Sequence, residues 1–221
     1  MNFTTVKNQI EFRSYLNYHV VSHLPNQRND NQIVKSKQQL DNHSGRLRHF
    51  LNGFASLGKM LERGYNTRSA LECVVLSASI VDGFLRIALI LKEQIETKSD
   101  YIDPSLLHQK KEDRPISERT IFNRCLEKQI ITKKLFERIS KAYDSRNRCI
   151  HRYLISDINY RYVTNLVFEY AKLIDKIRDS VFALEEEQIA KKVGMTKDSD
   201  DLVSSINLMA SEKEKRPSFD G

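Results

Sequence analysis

The longest apolar tract runs from Ala70 to Leu91, and Glu72, Asp82 and Arg86 are its only charged residues. Three charges would be costly in lipid hydrocarbon, so the tract is read as a core helix rather than a membrane span. Val74, Val81, Leu85, Ala88 and Leu91 mark a buried face at helical spacing, and the remaining sides are nearly as apolar. A helix of that kind has to lie at the centre of the fold. Thr67 is placed to cap it, which predicts a helix from Arg68 to about Glu96. Seven glycines and four prolines are few for 221 residues, while helix-forming side chains abound, so the chain is expected to be all-α.

Within that cylinder Arg68, Glu72, Ser79, Asp82 and Arg86 fall in one narrow sector. Two uses of this polar seam stay open: a ladder of Arg68/Glu72 and Asp82/Arg86 ion pairs, or one wall of a polar cleft. On the N-terminal side, Leu40, Leu47, Phe50, Leu51, Phe54, Leu57 and Leu61 predict a helix from about Gln38 to Arg63, with Gly64 as its stop. Lys98 to Pro115 reads as a loop broken by Asp103-Pro104 and Arg114-Pro115, with basic residues at Lys110, Lys111 and Arg114. Ser117-x-x-Thr120 opens a short helix to about Lys128, Thr132 caps the next, and Asp157 or Asn159 caps the last. That last helix has the clearest stripe in the chain, from Val163 through Leu166, Val167, Tyr170, Leu173, Ile174, Ile177 and Val181 to Leu184.

The helix capped by Thr132 carries the segment Ser145-Arg146-Asn147-Arg148-Cys149-Ile150-His151-Arg152-Tyr153. Leu135, Ile139, Ala142 and Tyr143 set an apolar stripe that continues through Cys149, Ile150 and Tyr153, and Arg146 is in phase with it. A guanidinium cannot shed its charge, so at such a position it needs a partner, a cleft or an anionic ligand. Asp82 and Asp144 are the acids considered as its ion-pair partners. A homodimer offers another arrangement, in which the stripe meets its two-fold mate and the arginines line a solvated groove at the seam. Asn147 and His151, four apart, share one side of the helix, and histidine titrates near neutrality.

This segment resembles the Arg-x4-6-His signature of the HEPN superfamily, with a polar residue after the arginine and, in Arg146, His151 and Tyr153, the fuller Arg-x4-His-x-Tyr pattern. Arg13 and His19 meet the loose spacing as well, but no long helix leads into them. The resemblance covers residues 67–184 and implies a helical bundle, flanked by an N-terminal extension over 1–66 and a charged tail over 185–221. It also implies a metal-independent endoribonuclease, without cofactor, whose site is shared by two copies in a homodimer. Arg146, His151 and Asn147 would then be catalytic, and Arg148, Arg152, Lys141 and Lys133 would contact phosphates. Tyr153 would be a modification site or a support of the site, as would Asp82. A role in toxin–antitoxin systems, phage defence or RNA processing follows from the same likeness, as does a nucleotidyltransferase-type antitoxin partner. A silent HEPN-like module that binds RNA or nucleotide, or acts as a protein scaffold, is the alternative.

Between Thr132 and Arg152 seven cations stand against two acids, Glu137 and Asp144. Such a stripe would draw a polyanion to it. The three cysteines, Cys73, Cys125 and Cys149, have no metal-ligand spacing, and Met1 to Lys7 shows no export signal, so a reducing cytoplasmic setting is expected. His19 and His23 are four apart, yet no neighbouring carboxylate or cysteine completes a metal site. Phe3, Val6, Ile10, Phe12, Tyr15 and Leu16 suit a short helix or a docking arm, and Ser211 to Gly221 is expected to be disordered.

Overall fold

The computed structural model describes residues 43–107, 111 and 116–197. The expectations for the N-terminal segment, for residues 38–42 of the first helix, for Lys110 and Arg114-Pro115, and for the final residues lie outside them. The described residues are all-α: helices α1 (His43–Asn66), α2 (Ala70–Thr97), α3 (Pro104–Leu107), α4 (Glu118–Glu127), α5 (Lys133–Arg152) and α6 (Tyr160–Lys191), with a 3-10 turn at Tyr153–Ile155.

Helix α2 is long and apolar enough to cross a membrane, but most of it is buried inside the protein. It is the central element, with α6 along it, α1 on another side and α4 across it. Phe54 of α1 stacks edge-on against Phe84, centroids 4.9 Å apart. That approach is possible because residue 83 is glycine: a Cβ there would lie 2.4 Å from the Phe54 ring. Leu51, Phe54 and Leu61 thus belong to the same core as α2 and α6, so the helix read as part of an extension is built into the bundle. Likewise α6 runs past Leu184 to Lys191, and Gln188 in that last stretch is fully buried. Its amide donates to the Leu91 carbonyl and to Gln94, both at 3.0 Å, and accepts from Thr196.

Starts of helices follow the side-chain capping rule better than their ends do. Ser117, Thr132 and Asn159 each accept a backbone N–H three residues on, which selects Asn159 over Asp157. Thr67 does not cap α2. Its hydroxyl donates back to Arg63, and the cap position falls to Ser69. Asp103-Pro104, read as a breaker, instead starts α3: Asp103 accepts from the Ser105 N–H at 2.9 Å, and proline needs no partner at a first helical position.

Four helices end on a residue in the left-handed region, and none of the four is glycine: Arg68 (φ 56°), Lys98 (φ 52°), Gln129 (φ 57°) and Lys192 (φ 54°). At each end the next N–H closes a bond five residues back, as in Ser69 to Gly64 at 2.9 Å and Ile130 to Cys125 at 2.9 Å. Gly64 is therefore not the stop; α1 continues to Asn66. Its lack of a side chain serves packing, since a Cβ there would come 3.0 Å from Cys73 Sγ.

Candidate functional site

Helix α5 buries Ile139, Ala142 and Cys149 against its own chain, with Leu135 and Tyr143 packed at the edge. The stripe expected to meet a two-fold mate is thus consumed by the monomer's core. Ile150 and Tyr153, read as part of the stripe, are exposed instead. Arg146 stays in phase with the buried residues, and only 17% of its side chain is exposed.

Its partner is an acid that neither the spacing nor the motif indicated. Glu118, in the first turn of α4, places both carboxylate oxygens 2.5 Å from Arg146 Nη2. Asp82 and Asp144 are engaged elsewhere, Asp82 with Arg86 at 2.7 Å and Asp144 with Arg119 at 2.5 Å. Nothing local could have singled out Glu118, because an acid in a first helical turn is ordinary compensation of the helix dipole. Arg146 Nη1 donates to Asn147 Oδ1 at 2.9 Å, its guanidinium lies 4.9 Å from the Tyr143 ring centroid, and Nε is buried without a partner among the described residues. Arg119 sits 5.2 Å from the same ring, which meets Phe122 edge-on.

Burial pushes the Glu118 carboxyl above its ordinary range; Arg146 opposes the shift and nearby Asp82 adds to it. Tyr170 lies beside the same pair, and burial raises its phenol against the pull of Arg146. The seam on α2 therefore joins this cluster. Arg86 binds Asp82 and donates to the carbonyls of Leu106 and Ile116, the latter two residues before Glu118. The Asp82/Arg86 half of the ladder exists and stands next to the Arg146 pair. Arg68 lies before α2 begins, outside the helical register that the seam assumed.

His151 is exposed and has no partner among the described residues. Five residues of α-helix put it about 140° around the axis from Arg146, while Asn147 is about 40° from it. The structure brings Arg146 to Asn147 but not to His151. Tyr153 follows on the 3-10 turn, which carries Leu154 and Ile155, 94% and 82% exposed.

The basic stripe is partly neutralised in three dimensions. Arg138 pairs with Glu169, Arg146 with Glu118, and Arg148 with Asp157, while Arg148 also lies over the Tyr162 ring. Lys133, Lys134, Lys141 and Arg152 remain exposed without an ion pair among the described residues. By helical geometry Lys134, Lys141 and Arg152 lie within about 20° of one line along α5.

Comparison of the chain with protein-family models, with curated proteins and with solved structures finds no match in any of the three.

Proposed function

We propose that this chain is a metal-independent endoribonuclease of the HEPN type. The observation that carries the reading is Asn147, which joins the part-buried Arg146–Glu118 pair to the exposed edge holding His151. About 100° around α5 from His151 run the exposed Lys134, Lys141 and Arg152, with Lys133 at the helix start on the His151 side, cations suited to a polyanionic backbone. In the reaction a ribose 2′-oxygen forms a bond to its own 3′-phosphorus as the bond from phosphorus to the 5′-oxygen breaks. The products are a cyclic phosphate and a free 5′-hydroxyl. His151 of one copy takes the 2′-hydroxyl proton, and a second histidine delivers one to the leaving oxygen. Two copies would supply that pair, docking through the exposed Ile150, Tyr153, Leu154, Ile155 and Tyr160 beside the site rather than through the buried stripe. A toxin, phage-defence or RNA-processing setting, and a nucleotidyltransferase partner acting on Tyr153, belong to this reading by analogy.

The test is incubation of the full chain with cellular RNA in excess chelator, followed by mapping of new 5′ ends. Cleavage is expected to persist in the chelator, to fall as salt rises, and to vanish in His151→Ala while helicity and thermal midpoint stay unchanged. Full activity in His151→Ala would end the assignment. A second reading, a silent RNA-binding or scaffolding module, is favoured by one feature: Arg146 is already engaged by Glu118 within its own chain. Salt-sensitive RNA binding without any cleavage would select it.

A further inference from the structure

An arginine that grips a phosphate with two parallel N–H bonds uses one of two edges of the guanidinium, Nη1/Nη2 or Nε/Nη2. Both edges include Nη2, and on Arg146 Nη2 faces the two oxygens of Glu118. Nε is buried, and Nη1 already gives one bond to Asn147. The ion pair also cancels the charge that would draw an anion inward.

Asn147 is placed differently. Arginine only donates, so the Asn147 atom facing it has to be the carbonyl oxygen Oδ1. The other end of the carboxamide, Nδ2 with its two N–H bonds, has no partner among the described residues. It belongs to a residue one turn before His151 on the same side of α5.

We propose that Asn147 Nδ2, rather than the Arg146 guanidinium, donates to a phosphate oxygen of RNA at this edge, with Arg146 and Glu118 as a positioning pair that fixes the carboxamide nitrogen-outward. The chain Glu118 to Arg146 to Asn147 carries a core contact from α4 through α5 to the surface, where it sets a donor beside His151. This rests on the ribonuclease reading for the identity of the ligand, and its test therefore reads binding separately from cleavage.

The experiment titrates a labelled single-stranded RNA with the full chain at several salt concentrations and records the thermal midpoint of each variant. Asn147→Asp keeps an acceptor for Arg146 but replaces the outward donor with an acceptor; Asn147→Ala removes the donor without adding charge. Asn147→Ala is expected to weaken RNA binding about tenfold, the loss of one good hydrogen bond, and Asn147→Asp by more than that because a carboxylate then faces the phosphate, each with little change in thermal midpoint. The double variant Glu118→Gln/Arg146→Gln keeps a neutral pair at the core. It is expected to weaken binding, because the Asn147 donor is no longer held in place, while leaving the slope of log affinity against log salt unchanged, because no cation in contact with phosphate is lost.

A slope smaller by about 0.7 in the double variant would mark Arg146 as a direct phosphate contact and overturn the proposal. So would Asn147→Asp or Asn147→Ala binding RNA as tightly as the wild type, or a wild type that binds no RNA. If the wild type binds but does not cleave, and both Asn147 variants lose binding with the slope result as expected, the ribonuclease reading fails and this assignment stands. Cleavage by the wild type together with unaltered binding in both Asn147 variants would have the opposite meaning.

Discussion

Glu118 and Arg146, 28 residues apart in sequence, form the ion pair on which α4 and α5 meet, and three-quarters or more of each side chain is removed from solvent. Removing one partner of such a pair strands a charge. Arg146→Ala is therefore expected to cost about 3 kcal/mol of stability in urea denaturation. Replacing both, as Glu118→Leu with Arg146→Met, should recover most of that loss. A single substitution that leaves the denaturation midpoint unmoved would show that the pair contributes little.

The same contact predicts a pH dependence. Burial holds the Glu118 carboxyl above its ordinary value, so the folded state keeps this proton to higher pH than the unfolded state does. Its contribution is fully present below the unfolded value, near pH 4.5, and is lost as pH rises through the folded one. The thermal midpoint of wild type minus that of Glu118→Gln should therefore fall as pH rises above the ordinary carboxylate range. Calorimetry at stepped pH checks both the direction and the window.

Two glycines in neighbouring helices should answer oppositely to alanine. At Gly83 an added Cβ meets the Phe54 ring at 2.4 Å, so Gly83→Ala is expected to destabilise by about 1–3 kcal/mol despite the better helix propensity. At Gly53 nothing lies within 4 Å, and Gly53→Ala should stabilise by about 0.5–1 kcal/mol. Equal effects at the two sites would contradict the packing of α1 on α2.

Gln129 ends α4 at φ 57°, a conformation that costs a residue with a Cβ about 1 kcal/mol. Gln129→Gly is expected to stabilise by somewhat less than this, because glycine also loses more freedom on folding. A rise of about 2 °C in thermal midpoint is the corresponding readout.

Much of the architecture is local, and that part can be read from the chain. The serine, threonine and asparagine caps of α4, α5 and α6 act over three residues, and the apolar periods of α2 and α6 repeat every turn. Helix ends were harder to place. In a chain poor in glycine the left-handed closing residue is arginine, lysine or glutamine, and those residue types mark no end by themselves.

For the candidate site, the chain read alone indicated the helix capped by Thr132, the alignment of Arg146 with an apolar stripe, and the sharing of one side by Asn147 and His151. It took the packing of the helices to show that Arg146 pairs with Glu118, that Asp82 and Asp144 serve other arginines, and that three of the seven cations on α5 face acids from other parts of the chain. The reason is the range of the forces involved. A cap or a stripe is fixed by neighbours within a turn or two, whereas a charge pairs with whichever opposite charge the packing of distant helices brings within about 3 Å.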